Sequence, residues 1–236
     1  RLLVRRFESS IHAFQKTLDS LIHQAEIICK WYEELGKIPI YKKGKLPDID
    51  ELIDAISDGQ NQELKDAILE EELETYKDKG LWTIEKKELR KGFIDDVKKD
   101  IELLTQIRQQ WFGNGPVCDP KLARFKELLR EKLKNDPNRK IIVFTEFSDT
   151  ANYLYEQIKN EFRVFKYSSE DSNRANKEII RENFDAGYKI QKNDFDVLIA
   201  TDAISEGFNL HRAGIVFNYD IPYNPTRVIQ RVGRIN

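Results

Sequence analysis

The amino-acid sequence predicts an α/β fold, a parallel sheet with helices on both faces preceded by an α-helical, hairpin-like region. Three observations carry this reading. Ile141-Ile142-Val143-Phe144, Val197-Leu198-Ile199-Ala200 and Gly214-Ile215-Val216-Phe217 are short, nearly continuous apolar runs, the pattern of strands covered on both faces. Stretches with helical spacing separate these runs, as strand-helix-strand units require. Before Pro116 the apolar residues instead recur in long seams with steps of four and three, which belong to paired helices.

The elements can be taken in chain order. Phe7, Ile11, Phe14, Leu18, Leu21, Ala25, Ile28, Tyr32 and Leu35 form the first seam, and Gly36 and Pro39 stop it. Phe93, Val97, Ile101, Leu104, Ile107 and Trp111 form the second, which ends at Gly113, Gly115 and Pro116. The two are expected to pair as an antiparallel hairpin. Between them, residues 46–79 carry twelve acidic and three basic side chains, a local net of −9 in a chain of formal charge −2. This block is expected to form a shorter helical tip, and its charge is unsuited to a phosphate backbone. Asp119 and Asp136 then bracket a helix with Leu122, Phe125, Leu128, Leu129 and Leu133 on its apolar face. A strand at 141–145 follows, then a helix from Ser148 with Tyr153, Leu154 and Ile158 inward. The cycle repeats with a strand at 163–167, a helix at 173–186, a strand at 196–200 and, after a short crossover, a strand at 214–218. Pro225 is placed to open a last helix. The organisation is a helical region over 1–115, with its acidic tip at 46–79, and an α/β lobe over 116–236.

With 40% hydrophobic and 34% charged residues, the chain can bury an ordinary core. No stretch approaches the roughly 18 consecutive apolar residues of a membrane span, and the basic start from Arg1 to Arg6 lacks the form of a signal peptide. A cytoplasmic protein without a membrane partner is expected. Cys29 and Cys118 lack the spacing of a zinc site or a disulfide scaffold. His12, His23 and His211 form no ligand pattern, so no metal is assigned to protein side chains. No G-x-G-x-x-G or G-x-x-x-x-G-K-[ST] follows a strand, so any nucleotide chemistry has to be completed by another domain.

In such sheets ligands bind at the carboxyl ends of the strands. Three segments fall there in order: T-D-A-I-S-E-G-F-N-L from Thr201, N-Y-D-I-P-Y-N-P from Asn218, and Q-R-V-G-R-I-N from Gln230. They resemble motif V, the strand and loop after it, and motif VI of superfamily 2 helicase-like ATPases. I-I-V-F-T-E-F from Ile141 is similar to motif IV, and R-F-E-S-S-I-H-A-F from Arg6 to the segment that joins the two motor lobes. The G-x-N-L and D-x-P-x-N-P elements resemble most closely the bacterial Swi/Snf-type translocases. By this resemblance residues 116–236 are a helicase C-terminal, RecA-like lobe, truncated within motif VI.

The resemblance implies roles for single residues. Arg234, the arginine after Gly in Q-x-x-G-R, falls where the family places an arginine finger, and the next arginine of the pattern would follow Asn236. A guanidinium suits the task because its planar fork donates two hydrogen bonds to phosphate oxygens and keeps its charge. Gly207, Asn209, Gln230 and Arg231 are the expected ATP contacts. Gly207 lets backbone approach a nucleotide, and Asn209 offers an amide. Thr145 and Thr201 are the expected nucleic-acid contacts, although Thr201 beside Asp202 reads equally well as a helix cap. ATP and Mg2+ are expected to be held mainly by a first RecA-like lobe of a longer protein. Nucleic acid, double-stranded DNA in particular, is the expected track, with a protein partner for the helical region. The function implied is that of a second motor lobe, inactive alone, in an ATP-hydrolysing helicase or translocase. The alternative is a non-catalytic protein- or nucleic-acid-binding module built on such a lobe.

Overall fold

The computed structural model describes residues 2–41, 49, 52, 62–77, 80–113, 115, 117–205 and 208–235. Contacts divide the chain into two compact units, residues 18–115 and residues 1–17 together with 116–236. Helix α1 (Leu2–Ser9) is followed after Ser10 by α2 (Ile11–Glu34), so the first apolar seam is two helices. Ser10 marks the break, where its hydroxyl accepts the Ala13 N–H at 3.1 Å, a local side-chain cap that competes with helix continuation.

In the unit 18–115, Gly36 ends the helical run with φ +63°, a conformation that costs glycine little. Pro39 then lies in β1 (Lys37–Tyr41), which pairs antiparallel with β2 (Leu81–Glu85). This ribbon is a feature the helical seams do not announce. Helix α3 (Gln62–Lys77) lies in the acidic block, of which Ile49, Leu52 and 62–77 are described. Leu69 and Leu73 of α3 pack with Trp31, Leu35, Leu52 and Leu81 in one core. Helix α4 (Phe93–Phe112) has no fully buried residue. Lys98 pairs with Glu33 at 2.6 Å and Arg108 with Asp19, so α4 runs antiparallel to α2.

The C-terminal unit is the α/β layer structure that the apolar runs predict. Helix α5 (Pro120–Asn135) starts at Asp119, whose carboxylate accepts the Leu122 N–H, with Pro120 pre-set for a first helical position. The sheet has four parallel strands, β3 (Lys140–Phe144), β4 (Val164–Tyr167), β5 (Val197–Ala200) and β6 (Ala213–Asn218), in the order β4-β5-β3-β6. Alternate residues of β3 face opposite cores. Ile141 and Val143 meet α5 and α6 (Ser148–Ile158) through Leu122, Phe125, Leu129, Ala151, Leu154 and Ile158. Ile142 and Phe144 meet α7 (Arg174–Phe184) through Ile180 and Phe184, together with Ile204, Phe208 and Leu210. Coverage on both faces explains why all five residues of β3 are buried and read as a continuous apolar run. The exception in composition is Lys140, 2% exposed. Its ammonium donates to Asn193 Oδ1 at 2.8 Å and to the Phe195 carbonyl, and burial pushes it down from 10.5 to about 8. Helix α8 (Pro225–Val232) begins with Asn224 as its side-chain cap. Among the described residues no helix is long and apolar enough to cross a membrane.

Candidate nucleotide and nucleic-acid site

Two polar clusters form at the carboxyl edge of the sheet. The first centres on Asp220, 7% exposed and two residues beyond β6. Its Oδ2 accepts hydrogen bonds from Thr145 Oγ1 at 2.5 Å and Ser9 Oγ at 2.6 Å, and its Oδ1 accepts the Glu146 N–H at 2.8 Å. Ser9 and Ser10 both reach Thr150 Oγ1, at 2.7 and 2.9 Å. A buried carboxylate needs such donors, since leaving it unpaired in the interior is costly. Asp220 thus ties the loop after β3 and the end of α1 to the strand edge, and Ser9 and Ser10 carry the tie on to α6. The Lys121 ammonium completes the tie by donating to the Glu8 and Ser9 carbonyls at 2.6 and 2.8 Å, cation to helix C-terminus. Burial holds it below the usual lysine range, against the opposing pull of Asp220.

The second cluster is a cavity of about 310 Å³ lined by Phe144, Asp202, Arg227, Gln230, Arg231 and Arg234. Arg231 is 3% exposed. Its Nε donates to Asp202 Oδ1 at 2.8 Å, and its Nη1 donates to Asn218 Oδ1 at 2.9 Å and to the Asp220 carbonyl at 3.3 Å. Phe144 lies beneath, with the guanidinium carbon 5.2 Å from the ring centroid. Arg231 Nη2 is buried without a hydrogen-bond partner. Arg227 Nη1 donates to Asp202 Oδ2 at 3.0 Å. Asp202 thus holds two arginines of the lining, one of which, Arg227, also lies 3.7 Å from Glu146. The arginine-rich lining and the orphaned buried donor of Arg231 fit an anionic ligand with several acceptor oxygens, such as a phosphate chain.

The sequence-predicted residues divide between these clusters and other places. Gln230, Arg231 and Arg234 are brought together in the cavity, with Arg234 in the turn just after α8. Asn209 is exposed and outside that lining, and Gly207 lies outside the described residues. Thr145 departs from expectation. Its side chain is wholly buried and its hydroxyl is committed to Asp220, so in this structure it does not present itself to a phosphate. Thr201 is 6% exposed, and its Oγ1 accepts the Ala203 N–H at 3.4 Å, the capping role that its place beside Asp202 allows. Of the cysteines, Cys29 is buried and Cys118 exposed. Asp202, Glu146, Asp220 and Arg227 are the participants that motif reading did not single out. The signal for Asp220 lay in N-Y-D-I-P-Y-N-P, where a carboxylate stands two residues beyond the end of a strand.

Residues 120–236 match the family model described as the helicase conserved C-terminal domain. Over 97 residues the chain is 37% identical to the uncharacterized ATP-dependent helicase YqhH of Bacillus subtilis, covering 41% of this chain and 16% of that protein. It is 28% identical over 112 residues to the probable ATP-dependent RNA helicase ddx51 of Dictyostelium discoideum, covering 47% and 20% respectively. Among solved structures, the Pyrococcus furiosus Hef helicase domain aligns with TM-score 0.41 and 26% identity over 79% of this chain and 31% of that one. The chain therefore spans a third or less of the length of each of these proteins.

Proposed function

Residues 120–236 are a helicase C-terminal domain, and from that premise we propose that the chain supplies the second motor lobe of an ATP-hydrolysing nucleic-acid translocase or helicase. The observation that carries the proposal is the grouping of Gln230, Arg231 and Arg234 around one cavity with a buried, unpartnered guanidinium nitrogen. In this reading a first RecA-like lobe of the longer protein holds ATP and Mg2+, whose chemistry is to neutralise charge on the phosphates. This lobe closes over them. Arg231 is held rigidly by Asp202 and Asn218, a preorganised donor that needs no reorganisation as charge develops. Arg234, outside α8, is the arginine finger, placing its planar fork on the transferring phosphoryl group. Gln230 contributes an amide at the same cavity, and Asn209 and Gly207 are the remaining proposed nucleotide contacts.

The proposed track is nucleic acid, with double-stranded DNA favoured by the likeness of G-x-N-L and D-x-P-x-N-P to Swi/Snf-type translocases. Thr201 is the proposed contact to the track, while Thr145 serves it through Asp220. The unit 18–115 is proposed to engage a protein partner, and the whole is placed in the cytoplasm. The test is ATP turnover by the full-length protein with and without duplex DNA. Stimulation by the duplex is expected, and the chain of 236 residues alone is expected to give background turnover. A full-length protein that is folded and binds DNA without any turnover would instead favour a non-catalytic binding module.

A further inference from the structure

The arginine cavity is linked by an unbroken run of ion pairs to the N-terminal helix α1, a region that carries none of the helicase motifs at the strand ends. Arg5 Nη2 donates to both carboxylate oxygens of Glu146 at 2.9 Å. The Glu146 side chain is only 9% exposed, and its backbone N–H is fixed by Asp220. On its other side Glu146 Oε1 lies 3.7 Å from Arg227 Nη1, an ion pair beyond hydrogen-bond length. The same Arg227 nitrogen donates to Asp202 at 3.0 Å, and Asp202 holds Arg231. We infer that Arg5 and Glu146 are positioning residues for the arginine cavity, acting through Arg227 and Asp202. This inference rests on reading that cavity as a phosphate site.

The reason is a matter of charge balance in a partly dry place. Glu146 is a buried carboxylate with two cations in reach, and Arg5 satisfies it closely while Arg227 stands off. With Arg5 withdrawn, the cation among the described residues that still pairs with Glu146 is Arg227, whose side chain is half exposed. An uncompensated buried carboxylate costs far more than a surface ion pair is worth, so Arg227 is drawn from Asp202 toward Glu146. Asp202 then grips Arg231 alone, and the cavity loses the array that the seated helix maintains. Arg5 is itself aimed by packing, its guanidinium carbon 5.1 Å from the Tyr223 ring centroid. The seating of the segment that enters the lobe therefore sets the geometry of arginines more than 200 residues later in the sequence.

The test uses the full-length protein and compares Arg5→Ala, Arg5→Lys, Glu146→Gln, the Arg5→Ala/Glu146→Gln double variant and Arg234→Ala in DNA-stimulated ATP turnover. Arg5→Ala is expected to lower kcat by about 5- to 20-fold with KM for ATP within about twofold, since misplacement of reacting groups falls on the transition state. Arg5→Lys keeps the charge and is expected to recover most of the loss. Once Glu146 is neutral the pull on Arg227 is gone, so the double variant should be no worse than Glu146→Gln alone, a non-additivity that simple loss of packing does not produce. In ligand-free protein labelled on arginine, the Arg227 and Arg231 Nε–H signals should shift in Arg5→Ala and return in Arg5→Lys. Unchanged kcat and unshifted signals in Arg5→Ala, beside an impaired Arg234→Ala, would overturn the inference while leaving the proposed function intact. Normal turnover in Arg234→Ala would remove the underlying reading instead. Should Arg5→Ala fail to fold, Arg5→Gln takes its place, with the same fall in kcat and shift of the arginine signals expected, and an unchanged kcat with unshifted signals overturning the inference.

Discussion

Replacing Asp220 by alanine tests whether the buried carboxylate organises the carboxyl edge of the sheet. The change strips three hydrogen bonds at once. The Thr145 hydroxyl and the Glu146 N–H lose the acceptors seen in the structure, whereas Ser9 can turn wholly to Thr150, 2.7 Å away. Two donors are thus stranded, at about 1–3 kcal/mol each, so a loss of about 2–6 kcal/mol is expected. Asp220→Asn should cost less, about 1–2 kcal/mol, because its amide oxygen still accepts from Glu146 and rotatable hydroxyls can accept from its NH2. Urea unfolding of the chain can be read at two places. Trp31, Trp82 and Trp111 all lie within residues 18–115, so tryptophan fluorescence reports that unit, while far-UV circular dichroism includes the sheet. The dichroism transition should move in the order Asp220→Ala beyond Asp220→Asn beyond wild type. An Asp220→Ala shift worth under about 1 kcal/mol would mean the hydroxyls and N–H find other acceptors, and the hub argument would fail.

Two further outcomes are expected. Lys140 carries a depressed pKa of about 8, so its charged form opposes folding fully below that value and the opposition fades as pH rises from about 8 toward 10.5; the stability gap between wild type and Lys140→Met should change over that window by up to about 3 kcal/mol, measured by urea titration at each pH. In the full-length protein, Thr201→Val should reduce nucleic-acid stimulation more than basal ATP turnover; equal losses in both, or a fall in melting temperature alone, would assign Thr201 to capping the turn at Ala203.

Much of the lobe was legible because its two central strands, β3 and β5, are covered on both faces. Ile141 to Phe144 and Val197 to Ala200 leave no polar position to confuse the pattern, and Asp119 and Pro225 mark helix starts by chemistry that acts locally. The break at Ser10 was hidden because Phe7 and Phe14 continue the seam on either side of it, and spacing alone does not tell a serine on a helix face from one whose hydroxyl caps the next turn, as Ser10 does for the Ala13 N–H. The ribbon of Lys37–Tyr41 and Leu81–Glu85 was likewise hidden, its two short strands being 40 residues apart with a proline in one. At the candidate site, the motif residues Gln230, Arg231 and Arg234 line one cavity, their neighbourhood being nearly local. Motif reading missed Glu146 and Asp202 as structural carboxylates, because their meaning depends on which arginines the fold brings to them. Thr145 shows the converse: its position at a strand end was right, yet a hydroxyl there serves whichever acceptor the tertiary fold supplies, and that acceptor is Asp220.

The central claim is that this lobe completes an ATPase by placing Arg234 on the transferring phosphate. Single-turnover ATP hydrolysis by full-length Arg234→Ala, with saturating nucleic acid and circular dichroism to establish folding, tests it most directly. Ground-state ATP is held chiefly by the other lobe in this account, so the loss should fall on the transition state: a rate lower by about 10² or more with ATP affinity within about tenfold. Arg234→Lys should fail nearly as badly, because an ammonium keeps the charge but not the planar fork. A folded Arg234→Ala variant that hydrolyses ATP at close to the wild-type rate would contradict the account.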